Sequence, residues 1–282
     1  MHQNSNSRKP NGFPPEARKA KDESARPDLP SVRDVEEKWN VRFPFNLAAP
    51  SAVLPAGVAE NSLFLADFFP EIALLFFETE SCLAYTDEDL PPWLADLPCS
   101  WHVHMPLDLP WEAGIDTVWQ KIDGLIDKLA LVSPHAYVLH PPTAPDMLPA
   151  LADRLRDKGV PPSRFLIENV GLCSLTPVWD EVVEGGFSAC LDIGHILAYG
   201  QRDILRLPGL WERVRMLHVY GAERDMRHWP LRELDPVGQV LLRHLIDRTS
   251  DITLTLEVFR KEELFDSLDL FAQWFSQWSD NK

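Results

Sequence analysis

A single (β/α)8 barrel, the TIM-barrel fold, is the architecture this sequence predicts, and three observations predict it. Short apolar runs alternate with longer amphipathic ones, and eight such pairs can be counted along the chain. They occupy about 240 residues, the size of an eightfold barrel. Four of the apolar runs in the C-terminal half end in side chains able to ligate a metal: Glu168 in FLIEN, Asp192 with His195 in ACLDIGH, His218 in RMLHVY and Glu257 in LTLEVF. In a parallel barrel the C-terminal strand ends converge on one mouth, so residues far apart in sequence meet there. A doubly wound open sheet is the competing architecture, because a count of strands does not establish closure.

The strand candidates, in order, are FPFNLAAPS, EIALLFFE, SWHVHMP, AYVLHPP, RFLIENV, FSACLDIGH, RMLHVYG and DITLTLEVF. The clearest helix is Ile115 to Val132, where Ile115, Val118, Trp119, Ile122, Leu125, Ile126 and Leu129 recur at steps of three and four and define one buried face. Further helices are expected in DMLPALADRLRDKG, stopped by Gly159, in VGQVLLRHLIDR and in KEELFDSLDLFAQWFSQW. The Pro-rich TDEDLPPWLADLP holds a single short turn of helix. Residues 1–38 begin with a stretch rich in Pro, Asn, Ser and mixed charge that has few large apolar side chains to offset the entropy of ordering. They are expected to form a disordered or loosely docked tail, with residues 39–282 as the catalytic barrel domain.

Composition narrows the function classes. The 282 residues carry 27 Lys plus Arg against 43 Asp plus Glu, a formal net charge of -16. Such a body repels polyanions, so nucleic acid is not an expected partner and a small-molecule substrate is. The four cysteines form no C-x-x-C pair and are too sparse for a disulfide framework. No run reaches the roughly 20 apolar residues of a membrane span, and the first thirty residues lack the apolar core of a secretory signal. The expectation is a cytoplasmic protein without a membrane partner.

An isolated Glu or His at a strand end is more often a satisfied structural residue than a ligand, by roughly three to one. Coincidence changes the weighing. Glu168 and Asp192 each follow apolar residues, and a carboxylate ionised there needs a cation or strong donors. Gly194 lets the backbone turn after Asp192 so that His195 aims at the same point. His104 and His140 add imidazoles at the ends of the third and fourth strands, with Pro106 and Pro141 close behind. Mixed imidazole and carboxylate ligands suit Zn, Mn or Fe, and this number of them suits two or three divalent ions. Polynuclear sites of that kind are the usual machinery of phosphoester cleavage.

Glu78, His102, Asp225 and His228 are possible further ligands or partners of ligands. His102 lies two residues before His104, hence one layer deeper on the same strand face. Trp101, Trp111 and Trp229 neighbour the mouth loops and are possible substrate contacts, although packing is the more common use of tryptophan. His135, His244 and His2 carry no signal beyond that of ordinary histidines. The sequence has no G-x-G-x-x-G, Walker loop or G-x-S-x-G.

On these residues the chain resembles the xylose isomerase-like TIM barrels that include endonuclease IV, over about residues 43–260. The resemblance implies a metal site in which His104, His140, Glu168, Asp192, His195, His218 and Glu257 match in order and strand position, with Glu168 and Glu257 as catalytic carboxylates. His228 fits the histidine of an Asp-x-His element, but Met226 stands where its aspartate belongs and Asp225 is displaced by one. Within that superfamily, AAPSAVLPAGVAEN, LLFFETE, WHVHMPLDLPW, VLHPP, LIENV, CLDIGHILAYG and LEVF look like the cobamide-remodelling phosphodiesterase family known as CbiR. That likeness implies hydrolysis of the nucleotide-loop phosphoester of cobamides, the cobalamin-type corrinoids, to cobinamide phosphate and the α-riboside. The alternatives are a sugar isomerase or epimerase using one ion, an abasic-site endonuclease, and a non-catalytic corrinoid- or metal-binding protein.

Overall fold

The computed structural model describes residues 29–142, 144–171, 173–225 and 227–279. Eight parallel strands close into a barrel: β1 (Asn46–Pro50), β2 (Glu71–Leu75), β3 (Ser100–His104), β4 (Ala136–Leu139), β5 (Phe165–Glu168), β6 (Ser188–Asp192), β7 (Val214–Val219) and β10 (Thr253–Leu256). Pairing of Asn46 with Thr253 joins the first strand to the last and removes the open-sheet alternative. Two short strands, β8 (Ala222–Arg224) and β9 (Arg227–Trp229), form an antiparallel hairpin in the loop after β7. All eight apolar runs of the sequence coincide with a barrel strand, the seventh strand starting one residue before its run.

The helices follow the sequence pattern. Ile115–Leu129 buries Val118, Ile122, Leu125, Ile126 and Leu129 against the barrel. Met147–Lys158 ends at Gly159, whose φ of 80° supplies the left-handed cap that a residue with a Cβ adopts only at a cost. Pro236–Arg248 starts on an Asp235 cap, and Lys261–Ser279 closes the chain. The Pro-rich segment holds the 3-10 turn Pro92–Asp96, and a short helix, Thr79–Leu83, precedes it.

The expected tail ends earlier than residue 38. Residues 1–28 lie outside the described residues, but Val32–Trp39 is a helix opened by a capping box between Ser31 and Asp34. It is firmly docked: Val35 is fully buried, and Lys38 and Trp39 both reach Asp269 of the last helix, at 2.8 and 2.9 Å. Residues 29–38 therefore belong to the folded body.

Strand alternation sorts the core into two parts. Outward residues such as Leu74, Trp101, Val103, Leu139, Ile167, Leu217 and Leu254 pack under the helices in one large cluster. Inside the barrel a small apolar plug of Ala136, Val138, Leu166, Cys190 and Met216 separates two polar poles. The C-terminal pole carries the ligand-type residues singled out above. Among the described residues no helix is long and apolar enough to cross a membrane.

Candidate metal centre

The barrel delivers each expected ligand to one place by strand parity. His104, Glu168 and Asp192 are the last residues of β3, β5 and β6, and His140 and Glu257 directly follow β4 and β10. His218 pairs in register with both Asp192 and Thr255. At the end of β6 the Asp192 carboxylate accepts the backbone N–H of His195 at 2.7 Å and caps the short helix Ile193–Ala198. Gly194 is required in that turn, because a Cβ there would collide with the Tyr220 ring.

Glu168 lies at the centre and is buried. Its Oε2 is 3.2 Å from His104 Nε2 and 3.3 Å from His140 Nε2, while its Oε1 is 2.7 Å from His218 Nδ1. His218 Nδ1 is also 3.2 Å from Glu257 Oε1, and His228 Nδ1 is 3.3 Å from Glu257 Oε2. The ligand atoms of Glu168, Asp192, His218 and Glu257 lie within 4.8 Å of one another, and so do those of His104, His140 and Glu168. Glu168 is shared by both of these sets and by a third with Cys190 and His218, and one of its oxygens faces His104 and His140 while the other faces His218; His104 also lies within 4.8 Å of His218 and Glu257, so the two sides adjoin.

These residues fit divalent cations on two observations. Asp192 Oδ2 and Glu223 Oε2 are buried without a hydrogen-bond partner, which leaves costly charge aimed into the site. The second observation concerns His195. Its Nδ1 donates to the Asn169 carbonyl at 2.8 Å, so Nε2 of the neutral ring is a lone pair, yet it faces Glu223 Oε2 at 3.2 Å. Two lone pairs face each other there, an arrangement that calls for a proton or a metal ion between them. Among the described residues the ion pairs of Glu168, Asp192, Glu223 and Glu257 are all with histidine, and no Lys or Arg there does the work of a cation.

The electrostatics without metal tell the same story. Burial alone would raise the Glu168 pKa, but the charge on His218 and hydrogen bonds from His104, His140 and His218 outweigh it and hold the carboxyl well below its usual range. Burial works against protonation of His218, but Cys190, Glu257 and Glu168 lift its pKa well above the usual imidazole value. Asp192 is pushed up to about 6 by burial, which the neighbouring His195 only partly offsets. Burial lowers the His140 pKa and leaves it as a neutral ligand-type imidazole. Protons on the imidazoles thus supply the positive charge that metal ions otherwise bring.

Not every expected residue converges on the centre. Glu78 is exposed and accepts a hydrogen bond from Ser81. Asp225 is an exposed turn residue at φ 52° in the tip of the β8–β9 hairpin. His102 points inward below the mouth and bonds Glu71 instead. Trp101 and Trp111 are 5% and 8% exposed, packed in the apolar core, and offer no surface to a substrate. Trp229 does lie in the hairpin beside the mouth, 36% exposed, with Arg224 over its ring. His228 is at the centre, stacked on Tyr220 at 3.7 Å between ring centroids.

Sequence reasoning missed Glu223, Asn169 and Tyr220. The hairpin puts the acid two residues before Asp225 into contact with His195, and Tyr199 donates to its other oxygen at 2.6 Å. Asn169 accepts from Asp192 N at 2.8 Å and donates to Asp192 O at 3.0 Å, locking the ends of β5 and β6 together. Its position directly after Glu168 was the available signal. Tyr220 shares the strand parity of His218, two residues on, which was a signal too.

No protein-family model matches the sequence, and no curated protein matches it. Solved structures do match. A D-tagatose 3-epimerase-like protein aligns with TM-score 0.66 and 15% identity over 84% of this chain and 99% of its own. The IolI protein, solved with a zinc atom, gives 0.59 and 15% over 84% and 97%. The 3-keto-D-glucoside 4-epimerase YcjR of E. coli gives 0.56 and 13% over 84% and 100%. The closed eight-stranded parallel barrel of this chain is thus the xylose isomerase-like TIM-barrel fold.

Proposed function

We propose that the protein is a metal-dependent phosphodiesterase that hydrolyses the nucleotide-loop phosphoester of cobamides to cobinamide phosphate and the α-riboside, for corrinoid salvage and remodelling. The observation that carries the hydrolytic part is that Glu168 turns one oxygen to His104 and His140 and the other to His218, so that it could bridge two ions. The identity of the substrate comes from the segment likeness described above.

Divalent ions in this shell would activate a water and neutralise the phosphate oxygens. The chain's own residues do the positioning. Glu168 ties the His104–His140 side of the site to the His218–Glu257 side, and Glu257 is held in turn between His218 and His228. Asn169 and the Asn169 carbonyl fix Asp192 and His195. In the overall step one water adds across the phosphorus–oxygen bond to the ribose: the hydroxyl goes to phosphorus and the proton to the departing ribose oxygen.

The mouth surface agrees with a large, partly apolar substrate. Phe77, Leu107, Tyr199 and Trp229 are 52%, 54%, 48% and 36% exposed, and each follows the C-terminal end of a barrel strand. Phe259, after β10, stands over His228 with ring centroids 5.2 Å apart. Such a rim suits the flat corrin better than a small sugar, and the net charge of -16 disfavours a DNA duplex.

The second reading is a sugar isomerase or epimerase, favoured by the neighbouring structures named as epimerases and by the four-residue set Glu168, Asp192, His218 and Glu257, which alone suffices for one ion. Incubation of metal-loaded protein with adenosylcobalamin and mass spectrometry of the products separates the readings. Cobinamide phosphate and free α-ribazole, absent with Glu168→Gln, are the expected result. Intact cobamide, with epimerisation of a ketose by the same preparation, would overturn the phosphodiesterase reading, and cobamide retained without product would point to a binding protein.

A further inference from the structure

The opposite pole of the barrel holds a second ligand-type cluster, separate from the mouth. β2 opens with Glu71, whose parity turns it into the barrel, and its carboxylate is fully buried. Oε1 of Glu71 lies 2.7 Å from His102 Nδ1 and 2.7 Å from His135 Nε2. Thr253 donates to both carboxylate oxygens, at 3.2 and 3.0 Å, and Asn46 and Ser100 reach Oε2 at 3.2 and 3.3 Å. All three of these are neutral. Among the described residues the ion pairs of this buried carboxylate are with imidazoles alone, so there its charge is offset by cations that the two histidines carry or hold.

The geometry has the marks of a ligand set. Two imidazoles from different segments aim at the same carboxylate oxygen, and the three ligand atoms lie within 4.8 Å of one another. Two His and one carboxylate, with further positions open, is the donor set of a zinc-class site. His102 Nε2 lies 3.4 Å from Thr255 Oγ1, an orienting partner on the far side of the ring. The His135 side chain is 48% exposed. It lines a cavity of about 630 Å³ that also holds Asp251 and gives an ion a route to the cluster. Arg164, on the same wall, donates its guanidinium to the carbonyls of Pro134 and His135 and leans on the Tyr137 ring, so it is turned to the backbone and not to Glu71. Glu71 pairs in register with Ser100, four residues below His104 on β3, so the cluster lies about 13 Å along the strand from the mouth.

We infer that Glu71, His102 and His135 form a divalent transition-metal site at the N-terminal pole, distinct from the mouth centre, with water from the cavity completing the shell. This site stands whether or not the phosphodiesterase reading does. The test starts from full-length protein stripped with chelator and reloaded with Zn2+, followed by metal counting per chain and by anomalous diffraction at the zinc edge. His135→Ala is expected to remove one ion per chain and to abolish the anomalous peak beside Glu71 while the mouth peaks stay. Glu168→Gln is expected to do the reverse. Glu71→Gln, isosteric with the native side chain, serves as the second variant should His135→Ala fold poorly, and loses the same peak. Wild type with no anomalous density between these three residues, or an unchanged count in both His135→Ala and Glu71→Gln, overturns the inference.

Discussion

Glu168→Gln is the most informative perturbation, because one oxygen pair serves both halves of the mouth. The variant keeps the shape of the side chain and removes its charge, and a Gln presents an NH2 to imidazoles that now approach at 2.7, 3.2 and 3.3 Å. Deleting one partner of a buried ion pair costs about 3–5 kcal/mol. Applied to metal binding, that is a loss of roughly 10²- to 4 × 10³-fold in affinity. With free metal at one hundred times the wild-type Kd, binding stabilises the wild type by about 2.7 kcal/mol. A variant weakened 100-fold gains only about 0.4 kcal/mol under the same conditions. At roughly 2–4 °C per kcal/mol for a domain of this size, the mouth's share of the metal-induced rise in Tm shrinks from about 5–11 °C to about 1–2 °C. Thermal melts with and without metal, alongside metal counting, give both numbers. A folded variant with the wild-type count and the wild-type Tm rise would refute the placement of Glu168 at the heart of the centre.

Three further outcomes follow from named contacts. Metal affinity at the mouth should fall as the pH drops, since His218, whose pKa is raised well above the usual imidazole value, must lose its proton to bind; below about 6 Asp192, pushed up to about 6 by burial, must lose one too, so the fall steepens to about a hundredfold per pH unit, and a metal titration across pH 5 to 8 that came out flat would contradict both. Gly194→Ala should destabilise the fold by about 1–3 kcal/mol and disturb the Tyr220–His228 stack, read as a lower Tm together with weakened metal uptake, because the added methyl meets the Tyr220 ring. Leu107→Ser, at a half-exposed rim position, should raise KM for a cobamide by roughly fivefold, about 1 kcal/mol of lost apolar burial, with kcat little changed; an unchanged KM would detach the rim from substrate binding.

The barrel and most of the centre were legible in the sequence because strand alternation and strand-end position are local signals. FLIEN and ACLDIGH each announce a carboxylate at the end of an apolar run, and parallel topology does the rest. What was not legible depended on geometry that a local pattern does not encode. Whether Asp225 or Glu223 faces His195 is decided by the pairing of the β8–β9 hairpin, which sets Glu223 opposite His228 and leaves Asp225 in the turn. The Glu71–His135 contact joins residues 64 apart at the pole opposite to the one the ligand pattern advertised. Trp101 sits beside His102 yet points to the other side of the strand, so proximity in sequence misled where parity would have corrected. The early helix was missed for a different reason. Its Ser31–Asp34 capping box is present in the sequence, but the composition of the first thirty residues outweighed it.

Anomalous diffraction from crystals of the zinc-loaded protein tests the central claim most directly. The account predicts at least two ions at the mouth, on either side of Glu168, one toward His104 and His140 and one toward His218, Asp192 and Glu257. A single ion held by Glu168, Asp192, His218 and Glu257, with His104 and His140 free of metal, would contradict it and turn the reading toward one-ion isomerase chemistry.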